Sequence, residues 1–317
     1  MVVRLTNDEK YTISHRDNLI PASDLLLRVA MHLALYMAMS YNLYNLNYLN
    51  LVFIAYINSI IWHFWGYAGI AHELHHGTVF YSKKANRILF FVCSYLTWNN
   101  PYYFSASHRI HHRNIFSQDD VEIYKALPNP MILFVRFVVF DYVGFAKQIV
   151  YVVTNLLGRQ IYLKGYFFGI SVIRADRGIV AFHAAMILLV NVGLSWVLFL
   201  VTGSWVLAII FLITPFAGKF LNAIFAIAQH IGLEGSREKG WLYNSRTIIL
   251  PAPLEFLYAN MNYHAEHHLF PYVPYYRLPA LNILLKEKGV DRLPEVNLLF
   301  LISKYFRIHL TKLYSRK

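Results

Sequence analysis

Cysteine is nearly absent from this 317-residue sequence: Cys93 stands alone. A single thiol excludes an internal disulfide, a cysteine-ligated iron–sulfur cluster and a cysteine-type zinc site. Charge is sparse too, with Asp, Glu, Lys and Arg making up 15% of residues. Acidic residues are scarcer than basic ones, 17 against 29, which leaves a formal charge of +12. That surplus would suit nucleic acid, but no basic helix or aromatic-interleaved basic module is present, so no nucleic-acid partner is expected. No low-complexity tract, Gly/Ser linker or internal repeat breaks the chain, and residues 1–317 read as one domain. The first two dozen residues, MVVRLTNDEKYTISHRDNLIPASD, lack the apolar stretch that a signal peptide places soon after its positive start.

Apolar residues fill the space that charge leaves. They make up 57% of the chain, and the mean hydropathy is +0.39, which points to a membrane protein. Four stretches approach the ~20 apolar residues that a bilayer requires: 25–41, 49–70, 179–201 and 205–228. Arg28 sits near the start of the first and is expected to snorkel toward the interface. The links NLYNLNY and TGS hold no Lys or Arg, whereas the N-terminus, the 77–178 segment and the C-terminal tail hold nearly all of them. The positive-inside rule then puts both termini and the long middle segment in the cytoplasm, with two hairpins dipping into the membrane. Residues 88–98 are too short to span. Residues 131–157 contain Arg136, Asp141 and Lys147 and read as interfacial helices.

Fifteen histidines are many, and most are clustered. Residues 71–78 read AHELHHGT, followed by SHRIHHRN, then IAQHIGLEG, then NYHAEHHLFP. Positions i, i+3 and i+4 share a helix face, so H-x-x-H-H aims three imidazoles one way. The metal-ligand candidates are His72, His76, His108, His111, His112, His230, His264, His267 and His268. His75 also fits the spacing but is left behind the ligands or facing solvent. His15, His32, His63, His183 and His309 are isolated and are assigned no role. One mononuclear zinc takes three or four protein ligands, so nine imidazoles suit two metals. Imidazole alone does not name the ion. The fold expected is all-α: about four transmembrane helices in two hairpins, interfacial helices, and a cytoplasmic histidine-rich cap for two metals.

His72-Glu73-Leu74-His75-His76 also matches H-E-x-x-H, the pattern of zinc metalloproteases. A protease would use His72, Glu73 and His76 and leave the other boxes idle. Dioxygen chemistry would employ them all. A metal-binding membrane protein without enzymatic activity stands as a further alternative.

HELHH, HRIHH and HAEHH, in that order around two hairpins, resemble the three histidine boxes of the membrane fatty acid desaturase superfamily. The run NMNYHAEHHLFPYVPYYRLPAL (260–281) is similar to that of acyl-lipid desaturases, and QHIGLEG fits the family's additional histidine. The resemblance implies a membrane oxidoreductase with two iron ions. It would use dioxygen and two electrons to desaturate an acyl chain of a fatty acid or lipid. A hydroxylase of a lipid, alkane or small metabolite would share the same site. Glu73 and Glu266, inside their boxes, would accept hydrogen bonds from ligating imidazoles; the alternative is a solvated face or a surface ion pair. No histidine is followed by proline, so the fused haem domain of some relatives is absent. A separate electron donor is implied, a ferredoxin or b-type cytochrome fed by a reductase, and the basic cytoplasmic side would steer an acidic carrier. The implied location is a bacterial inner membrane or the endoplasmic reticulum. Trp62, Trp65, Trp98, Asn99 and Asn100 are candidates to line a substrate tunnel, against plain packing, an aromatic belt or a capped turn before Pro101. Lys219 is a further candidate, because a lysine in an apolar segment is costly and is either functional or paired.

Overall fold

The structure, a computed structural model, describes residues 3–123, 134–159, 176–233, 241–290, 295–300 and 303. These are mostly helical and form two compact units. One comprises Met1–His15 with Ile224–Lys317, the other Arg16–Ala223. Helix α1 (Asn7–Ser14) belongs to the former. It opens on a capping box in which Thr6 Oγ1 accepts from the Glu9 amide at 3.2 Å and Glu9 Oε2 accepts from the Thr6 amide at 2.7 Å.

In the larger unit, α2 (Leu19–Tyr44) and α3 (Tyr48–Trp62) pack as a hairpin. Leu46 makes the turn in the left-handed region at φ 56°, and Asn47 caps α3 by accepting from the Asn50 amide at 3.3 Å. Then come α4 (Ile70–His76), α5 (Lys83–Leu96), α6 (Pro101–Arg113) and α7 (Tyr142–Leu156). A second hairpin joins α8 (Arg177–Thr202) to α9 (Trp205–Ile213) through Gly203, which ends α8 at φ +66°. Met39, Leu51 and Leu207 pack together where the hairpins meet. A second cluster holds Tyr95, Trp98, Val152, Ile187 and Phe216. Polar side chains stitch these apolar helices. Asn191 Nδ2 donates to the Tyr95 carbonyl at 2.7 Å, and Ser195 Oγ donates to that of Ala208 at 3.0 Å.

Three helical stretches are long and apolar enough to cross a membrane: Asn7–Tyr44, Tyr48–His76 and Arg177–Thr202. The expected fourth, 205–228, is not one helix. It breaks after α9 into a 3-10 turn at Thr214–Phe216, passes through Gly218 at φ +63°, and resumes as α10 (Phe220–His230). Pro215 has no amide hydrogen to continue the ladder, and the Phe216 carbonyl, at the end of the 3-10 turn, accepts from the Asp141 amide at 2.7 Å. The expectation for Arg28 also needs correction. Its side chain is 1% exposed and its Nε lies 2.7 Å from Asp24 Oδ1. A carboxylate one helical turn away neutralises it, so it is buried and paired and does not snorkel.

The smaller unit contains α10 from Ile224 on, α11 (Trp241–Asn244), α12 (Ala252–Leu257), α13 (His264–Leu269) and α14 (Leu278–Glu287). A short parallel pair, β1 (Ile248–Ile249) with β2 (Val296–Asn297), closes it. Leu278, Leu281 and Leu285 on α14 are fully buried, and Lys288 reaches Glu9 at 2.8 Å, tying α1 to the end of α14.

Candidate metal centre

In the larger unit two helices carry the histidines. The chain enters α4 through Gly69, where a Cβ would lie 2.1 Å from the Phe64 carbonyl oxygen, so only glycine lets it pass. Gly77 ends α4 at φ +70°. Asn100 opens α6 by accepting from the Tyr102 amide at 3.0 Å, with Pro101 in the first turn. The ligand nitrogens of His72 and His76 from α4 and of His108 and His112 from α6 all lie within 4.8 Å of one another. Phe104 stacks on His108 with ring centroids 4.8 Å apart, and Tyr67 stacks on Phe104 at 3.7 Å, which fixes the imidazole plane.

Carboxylates behind the rings decide which nitrogen faces inward. His72 Nδ1 donates to Glu73 Oε1 at 2.9 Å, His108 Nδ1 to Glu122 Oε2 at 2.8 Å, and His111 Nδ1 to Asp120 Oδ2 at 3.1 Å. Ser107 Oγ holds the other Glu122 oxygen at 2.7 Å. With its hydrogen on Nδ1, a neutral imidazole presents the Nε2 lone pair, as a ligand must. Burial, then the neighbouring imidazoles, hold His108 well below the ordinary histidine range. Burial, then His111, push His112 down to about 3. Burial likewise raises Glu122 to about 7. His111 differs: burial opposes its charge, but the hydrogen bond and charge of Asp120 outweigh that and raise it. Asp120 is lowered in turn. Burial would raise it, and His111 with the Phe116 and Glu122 amides prevails.

In the smaller unit, His230 at the end of α10 meets His264 and His268 of α13, again with nitrogens within 4.8 Å. Arg246 holds the helix end by donating to the carbonyls of Ala228 at 3.1 Å and Ile231 at 2.9 Å. The Asn244 carbonyl accepts from His230 Nδ1 at 2.9 Å. His267, fully buried, stacks on His264 with centroids 5.8 Å apart. Glu266 is buried and accepts from Thr247 Oγ1 at 2.5 Å and Asn282 Nδ2 at 2.7 Å.

The nitrogens meet as metal ligands do. His108 Nε2, a lone pair by the argument above, lies 3.0 Å from His76 Nε2. His264 Nε2 lies 2.9 Å from His230 Nε2 and 3.0 Å from His268 Nε2. A single hydrogen on His264 would have to serve both neighbours, whereas a cation satisfies all three nitrogens. Two nitrogens each about 2.1 Å from one ion and at right angles are about 3.0 Å apart. The donor set, all imidazole, fits zinc, copper or iron.

Of the other candidates, His75 lies beside the first set, its ring centroid 5.6 Å from those of His76 and His108, and contacts Ser105 Oγ at 3.3 Å through Nδ1. Trp62 Nε1 donates to the Leu96 carbonyl at 3.2 Å, and Trp62 and Trp65 flank His32. Trp98 packs edge-on against Phe216. Lys219 Nζ lies 3.1 Å from Asp141 Oδ2. Asn99 and Asn100 line a cavity in the larger unit, which Trp62, Trp65, Trp98 and Lys219 do not. The isolated histidines bond to protein: His32 to Asn58 at 2.7 Å, His63 to the Ala217 carbonyl at 2.7 Å, His183 to Tyr95 at 2.8 Å. His15 lies beside the Tyr11 ring, and His309 is outside the described residues. Asp120, Glu122, Asn244 and Arg246 were not anticipated. The acidic run SQDDVE, following the second box, was the available signal for the first two.

No curated protein matches this chain. A model of the fatty acid desaturase family matches residues 46–298, a stretch that contains every candidate ligand. The chain therefore belongs to the fatty acid desaturase family, and its histidine sets fit the di-iron oxidoreductase chemistry for which that family is known.

Proposed function

We propose that the protein is a membrane-embedded di-iron oxidoreductase that uses dioxygen and two electrons to desaturate the acyl chain of a fatty acid or lipid. The observation that carries this reading is the pair of imidazole sets with converging Nε2 atoms in a chain of this family. Each set would hold one iron, with His111 and His267 as further ligands. Bound iron supplies dioxygen activation and the removal of hydrogen from an unactivated carbon. The protein's own residues hold the rings. Glu73, Glu122 and Asp120 fix the tautomers of His72, His108 and His111, and Arg246 with the Asn244 carbonyl fixes His230. A zinc protease would need only two of these imidazoles, and Glu73, its general base, is engaged with His72. Purified protein is expected to hold about two irons per chain and to give a product lighter by two hydrogens. One zinc per chain, or a product heavier by one oxygen, would overturn the desaturase reading.

The membrane reading is supported by large apolar side chains left exposed along the long helices, such as Leu33 and Met37 on α2, Phe53 on α3, and Leu189 and Leu200 on α8. Soluble proteins seldom leave such faces uncovered. In this reading α9 and α10 together form a fourth crossing beside the three long stretches, and the positive-inside rule, applied to the Lys- and Arg-free links, favours both termini and the histidines on the cytoplasmic side. Cysteines placed at Asn45 and Ser204 should be labelled from the side opposite to one at Lys312. Labelling of all three from one side would refute this topology. Electrons come from a separate carrier with an acidic docking face, since the sequence has neither a haem motif nor cysteines for a cluster.

A further inference from the structure

A line of aromatic rings runs through the larger unit from one candidate ligand to a tyrosine–histidine pair. Phe104 stacks on His108, and Tyr67 stacks on Phe104. Tyr67 meets Phe90 with centroids 6.2 Å apart, Phe90 meets Phe91 at 5.7 Å, and Phe91 meets Tyr95 at 6.2 Å. The line ends where the Tyr95 hydroxyl lies 2.8 Å from Nδ1 of His183 on α8. Two of these rings are phenols, and they differ in what can take the proton. A phenol gives up an electron far more readily than a phenyl ring, and most readily when a base takes its proton in the same step. The buried Tyr67 hydroxyl faces Ser94, whose own hydrogen goes to the Phe90 carbonyl at 2.7 Å. A serine hydroxyl is no base, and a charged phenol radical is costly where its hydroxyl is buried. Tyr95, 4% exposed, has an imidazole nitrogen within the reach that proton transfer needs. A positive hole entering the line therefore comes to rest on Tyr95 and not on Tyr67.

We propose that Tyr95 and His183 form a redox-active pair that takes up an oxidising equivalent from the metal centre when dioxygen is reduced with no acyl chain in place. The proposal rests on the dioxygen-using metal centre of the proposed function and adds a protective activity to it. One electron leaves Tyr95 and passes by way of Phe91, Phe90, Tyr67 and Phe104 to the oxidised metal centre. The phenolic proton moves along the hydrogen bond to His183 Nδ1. The products are a neutral tyrosyl radical, an imidazolium and a centre reduced by one electron. An electron from the enzyme's own reductant, with the proton returned by His183, restores the pair. Without this outlet the oxidising equivalent falls on the nearest oxidisable groups, the ligand imidazoles themselves. His183 thereby gains a role that its isolation in the sequence concealed.

The test uses purified, iron-loaded protein in detergent, reduced, mixed with dioxygen in the absence of any acyl substrate, and frozen for electron paramagnetic resonance. A tyrosyl radical is expected, and ring-deuterated tyrosine should narrow its signal. Tyr95→Phe keeps the ring and its packing but deletes the phenol, and the signal should be lost. His183→Gln keeps an acceptor for the hydroxyl but removes the base, and the signal should be lost there too. In both variants iron content and the first turnovers with substrate stay unchanged. Oxygen added to His72 and His108, read by peptide mass spectrometry per dioxygen consumed, should rise severalfold. No radical in the unaltered protein, a radical that survives in Tyr95→Phe, or histidine oxidation that does not change in either variant would overturn the proposal. A radical on Tyr95 in protein that never desaturates an acyl chain would sink the desaturase reading and leave this one standing. Desaturated product without the radical would do the reverse, and protein that takes up no iron would sink both.

Discussion

His108→Ala and His264→Ala are each expected to remove most of the bound iron and all measurable turnover while the protein still folds and inserts. His108 belongs to the set in the larger unit and His264 to that in the smaller one. His264 Nε2 stands between those of His230 and His268, so its loss leaves those two without the ring that joins them. A graded companion effect is expected behind the ligands. Glu122→Gln keeps the shape but weakens the acceptor for His108 Nδ1, and loss of such an outer partner lowers metal affinity by about 10–100-fold. His15→Ala should change neither iron nor rate. Iron quantified per chain, with near-unchanged recovery of folded protein, decides the matter. Full iron occupancy in both alanine variants would mean that these imidazoles only pack.

That series also separates what was legible in the sequence from what was not. The gathering of the histidines was legible because helix spacing is local: three residues apart or four, the imidazoles share a face wherever the helix goes. The carboxylates behind them were not. Asp120 and Glu122 sit in an irregular stretch after α6, where no periodicity says which way a side chain turns. They reach His111 and His108 only because the chain folds back nine and fourteen residues later. Arg246 was hidden for a similar reason. It caps α10 from fifteen to eighteen residues away, and a lone arginine has no local signature for that task. Glu73 was readable as a hydrogen-bond partner because it adjoins His72. Arg28 was misjudged although its partner, Asp24, lies one turn away on the same helix. In an apolar helix a nearby carboxylate removes the need to reach water. Pro215 announced a break, but the extent of the break, with Gly218 pressed to within 3.0 Å of Ile60 by a notional Cβ, depends on packing between distant segments.

Asp141 supplies the largest stability effect expected of a single side chain here. It is 4% exposed and sits between two cations. Arg136 reaches Oδ1 with Nε at 2.8 Å and a terminal nitrogen at 2.7 Å, while Lys219, 78 residues away in sequence, reaches Oδ2 at 3.1 Å. Lys219 also lies over the Phe216 ring, 5.3 Å from its centroid. The carboxylate therefore joins the π-helical turn at Phe134–Val139 to the broken segment between α9 and α10. Asp141→Asn keeps the volume but leaves two cations facing each other with no counter-charge. Breaking a buried pair in this way costs about 3–5 kcal/mol, and the partial exposure of Lys219 puts the expected value at the lower end. Lys219→Met alone should cost much less, because Asp141 keeps Arg136. Added to Asp141→Asn it should restore part of the loss, since the pair is coupled and not additive. Thermal unfolding of the detergent-solubilised single and double variants gives the cycle. Additive losses would show that the lysine and the carboxylate do not interact. The same Lys219→Met protein addresses the tunnel role expected from sequence. An ammonium engaged by Asp141 and Phe216 has little to offer a passing acyl chain, so product positions should not change. A shift in the position of the double bond at unchanged iron content would return Lys219 to the substrate path.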